Sequence, residues 1–327
     1  MVKCIIGERD LCILRETVCR YGGFAPARGG NMRFLQAEPI SDSLIFIGDE
    51  KTSMYLLKGE RYLVIGGGMS YVAPTVEEQL DRFEVDRSRI MGILILHSHF
   101  DHITAVPYFK RAYPWLEIMA SAGTKKVLGI EKAVKNIAAL DRATRQGFGA
   151  DDRYGGISLE FKPPEITRVL NDGDTIDLGG GVRVSILETP GHSKCSIAAY
   201  VSDFQYLFPS DGVPLPILKE GRLVLMANDN IVLYLKSLER MAALQVKAVC
   251  CEHGGAFYGE DAAFFLRQGL ELTRKKYDFY RQAMQSGADA RVLARDELAQ
   301  IAKDREYSLT PEDVLRGVFT KMITSAA

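Results

Sequence analysis

The sequence predicts an α+β fold built from two similar αβ halves and a helical tail. Three observations carry that prediction. Short β-type runs occur in two groups, first SLIFIG, SMYLLKG and RYLVIGGG, then the series from ITRVL to QYLFPS. Each group leads into a helix-patterned segment and a further apolar strand. From residue 259 to 327 only helical patterns remain.

In chain order, Leu11, Leu14, Val18 and Tyr21 fall at helical spacing, and Gly22-Gly23 would end that helix. APARGGN then reads as a linker, which marks 1–31 as an N-terminal extension. After the first strand group, PTVEEQLDRF predicts a helix with Pro74 in its first turn. IMGILIL, residues 90–96, is almost wholly apolar, the pattern of a strand buried on both faces. ITAVPYFKRAY reads as a helix, LEIMAS as a strand, and 124–146 as mostly helical. The Gly- and Pro-rich stretch 147–165 reads as a long loop. Its Phe148, Tyr154 and Phe161 either line a substrate pocket or form a cluster of their own.

The second strand group spans ITRVL, DTIDLG, VRVSILE, SIAAYVS and QYLFPS. IVLYLKSLERMAAL follows as a helix capped by Asn230 or Asp229, and KAVCCEHGG as a strand. In the tail, Leu266, Leu270, Tyr277 and Met284 mark one helix with an end near Gly287. Its aromatic residues, Phe264 to Tyr280, read as core packing or a homodimer contact. Thr310 and Pro311 signal the start of another helix. The expected units are therefore 1–31, a main domain over 32–258 and a helical extension over 259–327.

Composition excludes several classes. With 327 residues and 47% hydrophobic content the chain can bury a large core. A formal net charge of −1 gives no electrostatic footprint for nucleic acid or an anionic membrane. No run approaches the length of a membrane span, and the first apolar run is cut by Glu8, Arg9 and Asp10. A cytoplasmic protein is the expectation. The six cysteines form no Cys-x-x-Cys pair and read as reduced thiols.

Histidine use is the informative feature. The chain holds five, and His97, His99 and His102 crowd the end of the apolar run 90–96, with Asp101 among them. Residues two apart on extended backbone point to one face, so His97 and His99 share an orientation. Asp101 and His102 would approach from the turn that follows. The other two, His192 and His253, also sit where strand-like runs end, as does Asp211. Imidazole and carboxylate together suit Zn, Fe or Mn.

The run His97-Ser98-His99-Phe100-Asp101-His102, then Thr189-Pro190-Gly191-His192, Asp211 and His253-Gly254, resembles the metallo-β-lactamase superfamily over roughly residues 38–256. The resemblance implies an αββα four-layer sandwich, here with the C-terminal helical extension. It implies two divalent metal ions, Zn first and Fe or Mn with the same donors. His97, His99 and His192 would hold one ion, and Asp101, His102 and His253 the other. Asp211 would bridge them, and Asp101 is also the candidate catalytic residue. Two such ions, roughly 3.5–4 Å apart, share a hydroxide and polarise the substrate. The expected activity is hydrolysis of a small ester, thioester or lactone.

One departure stands out. Gly66 in VIGGGMS occupies the turn where many members of that family carry a supporting Asp. The same turn, with HFDHITAVPYF and LYLKSLERM, is similar to the quinolone-signal response thioesterase subgroup, which implies helices over a partly apolar site. Two other readings compete. A phosphodiesterase of the same fold would want a positive balance that this chain lacks. A regulator acting through protein contacts, with the metal site secondary, would use the tail and the N-terminal extension. The partner expected is a small acyl substrate.

Overall fold

The computed structural model of this chain describes residues 33–150, 158–217, 221–301 and 312–327. The N-terminal extension, Tyr154 and the Thr310-Pro311 signal lie outside the described residues.

Two seven-stranded sheets form the centre. The first runs, in spatial order, β2 (Glu38–Ser41), β3 (Leu44–Gly48), β4 (Ser53–Lys58), β5 (Tyr62–Ile65), β6 (Ile90–Leu94), β7 (Glu117–Ser121) and β8 (Arg168–Leu170). Its first four strands form an antiparallel meander, and from β5 onward the pairing is parallel. The second sheet runs β1 (Arg33–Phe34), β16 (Ala256–Tyr258), β15 (Ala248–Cys250), β12 (Tyr206–Phe208), β11 (Ile197–Val201), β10 (Arg183–Glu188) and β9 (Thr175–Asp177). Only β12 and β15 pair in parallel there. A separate hairpin joins β13 (Leu215–Ile217) to β14 (Arg222–Val224).

Strand alternation builds the layers. On β3 and β4, Leu44, Phe46, Tyr55 and Leu57 face the second sheet, and Ile45, Ile47, Met54 and Leu56 face the helices outside. Both faces are apolar, so these strands read as continuous hydrophobic runs. The inter-sheet layer adds Val184, Ile186, Ile197 and Phe208 from the second sheet. Tyr55 and Phe208 meet there edge to face, with ring centroids 5.6 Å apart. Burying each such ring stabilises the fold by about 1.5–3 kcal/mol.

Helices cover both outer faces. Over the first sheet lie α1 (Ala73–Arg82), α2 (Val106–Ala112), α3 (Ala122–Leu128) and α4 (Glu131–Gly147). Over the second lie α5 (Ile231–Ala242), α6 (Glu260–Gln285), α7 (Ala290–Ile301) and α8 (Glu312–Thr324). The architecture is the αββα sandwich. Pro74 sits in the first turn of α1, and the Asn230 side chain caps α5 by accepting from Leu233 N at 2.9 Å. The tail helices share one apolar cluster with α5, including Tyr234, Phe265, Leu293 and Phe319.

Two details differ from the sequence expectation. The ladder of β6 ends at Leu94, although the apolar run continues to Leu96. Ile95 N still donates to the Met119 carbonyl of β7 at 2.9 Å, and the change of partner comes at Leu96, whose carbonyl accepts from Ile197 N of the second sheet at 2.9 Å. Phe148 and Phe161 pack into the layer beneath α4 rather than into a substrate pocket. Among the described residues, no helix is long and apolar enough to cross a membrane.

Candidate metal centre

Every histidine and both aspartates singled out in the sequence lie at one edge of the sandwich. His97 and His99 follow β6 on extended backbone, and Asp101 and His102 form the short 3-10 turn Phe100–His102. His192 occupies the turn between β10 and β11, Asp211 the turn Ser210–Gly212 after β12, and His253 the segment after β15. Strand ends deliver them, as α/β folds do for ligand sites.

Local chemistry explains the placement. Gly191 has φ +132°, and a Cβ there would lie 2.2 Å from Tyr234 N. Only glycine lets the turn approach α5 closely enough to present His192. The Gly191 carbonyl in turn accepts from Asp229 N and Asn230 N, both at 2.9 Å. The turn carrying Asp101 and His102 is tied down by Asp141 of α4. That buried carboxylate accepts from Thr104 Oγ1 at 2.7 Å and Ser70 Oγ at 2.6 Å.

The side chains fall into two sets that meet at Asp211. In the first, His99 Nδ1 and His192 Nε2 are 2.9 Å apart, and His192 Nε2 is 3.2 Å from Asp211 Oδ2. His97 Nε2 lies 3.9 Å from the same oxygen. In the second, His102 Nε2 and His253 Nε2 are 3.0 Å apart, with Asp101 Oδ2 at 3.6 and 3.4 Å from them. Asp211 faces this set as well, at 3.3 Å from His102 Nε2 and 3.8 Å from His253 Nε2.

The donor set fits cations. A neutral imidazole has one donor and one acceptor nitrogen. His192 Nδ1 donates to the Met226 carbonyl and His253 Nδ1 to the Lys51 carbonyl, both at 2.7 Å. Their inner nitrogens therefore carry lone pairs aimed at other imidazoles. Lone pairs so close repel unless a proton or cation lies between them. His97 Nε2 is buried with no hydrogen-bond partner among the described residues, a costly state for an acceptor without a ligand.

Electrostatics divide the sets. Burial, then neighbouring histidines, holds His97 well below the usual imidazole range and brings His99 to about 4. Burial also lowers His192, although Asp211 opposes it. Burial acts against the charged His102, but Glu252, Asp101 and Asp211 outweigh it and raise that imidazole. His253 is raised in the same way, by Asp211 and its bond to Asp101. Burial would raise the two aspartates. Histidines beside them, His102 foremost, instead hold both well below the usual carboxylate range.

Sequence reasoning missed Glu252 and Ser210. Glu252 is 3% exposed, and its Oε2 lies 3.1 Å from His102 Nδ1, at an oblique angle. Ser210 Oγ donates to the same carboxylate and sits 3.0 Å from His97 Nδ1. Ser210 holds φ +52° to reach both, a left-handed conformation costing roughly 1–2 kcal/mol outside glycine. One carboxylate thus touches a histidine of each set, directly or through one hydroxyl. The Ser210 hydroxyl fixes the tautomer of His97 and leaves its Nε2 free. Gly66, at φ +93°, leaves the room: a Cβ there would stand 3.0 Å from Glu252 Oε1. The absence of a side chain at Gly66 was the available signal.

A cavity of about 790 Å³ opens over this centre. His99, Asp101, His192, Asp211 and His253 line it together with apolar residues from α3, α4, α8 and the β13–β14 hairpin.

Comparisons with known proteins agree with the geometry. The sequence pattern of the Metallo-beta-lactamase superfamily matches residues 47–253. A metallo-beta-lactamase fold-containing protein of Sulfurisphaera tokodaii is 27% identical over 167 residues. That match takes in 50% of this chain and 60% of the relative's own length. Among solved structures, a metallo-beta-lactamase family protein of Thermus thermophilus superposes with a TM-score of 0.60 at 16% identity, covering 88% of this chain and 94% of its own. A beta-lactamase domain protein of Burkholderia ambifaria also gives 0.60 at 16% identity, covering 92% of this chain and 88% of its own. At such identities these structures speak to the fold.

Proposed function

This chain belongs to the metallo-beta-lactamase superfamily, and we propose that it is a dinuclear metal-dependent hydrolase of an acyl ester, thioester or lactone. The observation that supports this most is Asp211, whose two oxygens face histidines of both sets at the floor of one cavity. On this reading His97, His99 and His192 would hold one divalent cation and Asp101, His102 and His253 a second, with Asp211 a ligand available to either. Such a pair, zinc being the first expectation, supplies Lewis acidity and a nucleophile at neutral pH.

The chain's own residues do the rest. Met226 and Lys51 carbonyls orient His192 and His253 so that their acceptor nitrogens face inward. Both Asp101 contacts to histidine run through Oδ2, so Oδ1 is the atom we assign to take a proton from the attacking water. In the overall step water oxygen bonds to the acyl carbon and the acyl C–O or C–S bond breaks. One water proton passes to the departing oxygen or sulfur and the other is released to solvent, giving a carboxylate and an alcohol or thiol. The apolar lining of the cavity weighs against a phosphodiester polymer as substrate.

Metal analysis of protein purified without added metal, joined to a panel of esters, thioesters and lactones, tests the proposal. About two ions per chain and acyl hydrolysis lost on chelation are expected. Protein that binds less than about one ion and cleaves nothing in the panel would overturn it.

A further inference from the structure

We propose that the substrate's acyl group is an apolar chain of roughly six to ten carbons, lying between α8 and the α3–α4 region with its carbonyl over the metal centre; this rests on the hydrolase reading above. The cavity's size comes first. At roughly 30 Å³ per non-hydrogen atom, the share of one water in the liquid, 790 Å³ holds about 25 such atoms. An acyl chain of six to ten carbons takes roughly a third of that space and leaves the rest to the leaving group, whereas an acetyl group would leave the apolar wall against water.

The walls come next. Val127 of α3, Ile137 and Leu140 of α4, Leu215 of β13, Val224 of β14 and Val318 of α8 all line the cavity. These elements are far apart in sequence, and each turns apolar side chains to the same space. Single exposed apolar residues are ordinary. Here Ile130 and Val314 are each 47% exposed and lie on opposite segments that line one cavity, so their exposure is shared rather than scattered. A contiguous apolar lining of this kind marks a ligand site. Polar residues outside the centre, including Lys51, Lys126, Asn136 and Lys194, also line the cavity and leave room for a polar leaving group, while the candidate metal ligands fix the end of the ligand that reacts.

The mechanism of selection is burial. Each methylene moved from water into the cavity contributes a threefold to fourfold gain in affinity or kcat/KM. Hydrolysis then gives a fatty carboxylate and the alcohol or thiol, one proton going to the departing atom and one to solvent as above.

The test uses N-acetylcysteamine thioesters with acyl chains from acetyl to decanoyl, on the full chain loaded with zinc. kcat/KM is expected to rise about threefold per methylene up to hexanoyl or octanoyl. Two variants narrow the space from opposite sides, Val318→Trp and Val127→Trp. In each, the octanoyl-to-butyryl ratio of kcat/KM is expected to fall at least about tenfold, from lost burial of two or more methylenes. Having both guards against one variant failing to fold. Calorimetric titration of the metal-free chain with octanoate and acetate gives a readout independent of turnover. Octanoate should bind with a negative heat-capacity change and acetate should not. Hydrolysis with a flat or falling chain-length profile overturns this inference and leaves the hydrolase standing. Octanoate binding without turnover of any thioester overturns the hydrolase and leaves the acyl cavity standing.

Discussion

The two halves of the candidate metal centre are built from similar residues but held in different ways. The His97, His99 and His192 half is rich in nitrogen, and burial keeps its imidazoles neutral. The Asp101, His102 and His253 half is rich in charge, and its carboxylates raise the imidazoles among them. Exposure does not divide the halves in the same way: His97 and His102 are buried, whereas His99, Asp101, His192 and His253 line the cavity. On the proposed reading, the neutral imidazoles would keep a cation with little rearrangement, and the carboxylate-bearing half would be suited to handling protons.

The strongest way to break this comparison is to remove the residue the halves share. Asp211→Ala is expected to strip both ions and lower kcat/KM by at least about 10²–10³-fold, the scale of losing a group at the reacting centre. Metal content by mass spectrometry and thioester turnover read it. Retention of two ions would mean that Asp211 does not join the sets. Next come variants confined to one half. His253→Ala should leave about one tightly held ion per chain, whereas His192→Ala should weaken binding in the His97, His99 and His192 half first. Equal losses in the two variants would erase the distinction between the halves.

How much of this was legible in the sequence differs by element. The clustering of these side chains was, because His97 through His102 follow an apolar strand and the other histidines sit at strand ends. Those patterns are local, and period-2 alternation fixes the side-chain directions. The αβ order was legible for the same reason, while the four layers came only with the family resemblance. Glu252 was not legible, since its partners Ser210 and His102 lie 42 and 150 positions away along the chain. The β13–β14 hairpin was missed because its strands are three residues each and one holds Pro216. Phe148 and Phe161 were ambiguous because an aromatic in a long loop looks alike whether it meets a ligand or the core.

Glu252 sharpens the comparison by linking what Asp211 joins. Glu252→Gln keeps the shape but gives up the charge that faces His102 Nδ1 and receives the Ser210 hydroxyl. Metal affinity in competition with a chelator should fall about 10–100-fold, the usual cost of losing an outer partner of a ligating histidine. Both halves should weaken, since Ser210 carries the effect to His97. Loss confined to the His102 half would show that Ser210 orients His97 unaided. No change in affinity would remove Glu252 from the centre.

The smallest effect is expected at Asp141, which supports only the Asp101, His102 and His253 half through Thr104. Burial raises its carboxyl above the usual range, against donors from Ser70, Thr104 and Arg145. An acid raised on folding binds its proton more tightly in the folded chain than in the unfolded one. Its contribution to stability is therefore full below the ordinary carboxylate value near about 4, and is lost as pH climbs through the raised value. Asp141→Asn has no such titration. Urea denaturation of both proteins across a pH series should show wild type gaining on the variant as pH falls from neutral toward about 4. A stability difference that stays flat over that interval would mean that the Ser70 and Thr104 hydroxyls, and not the buried charge, decide how Asp141 holds the turn.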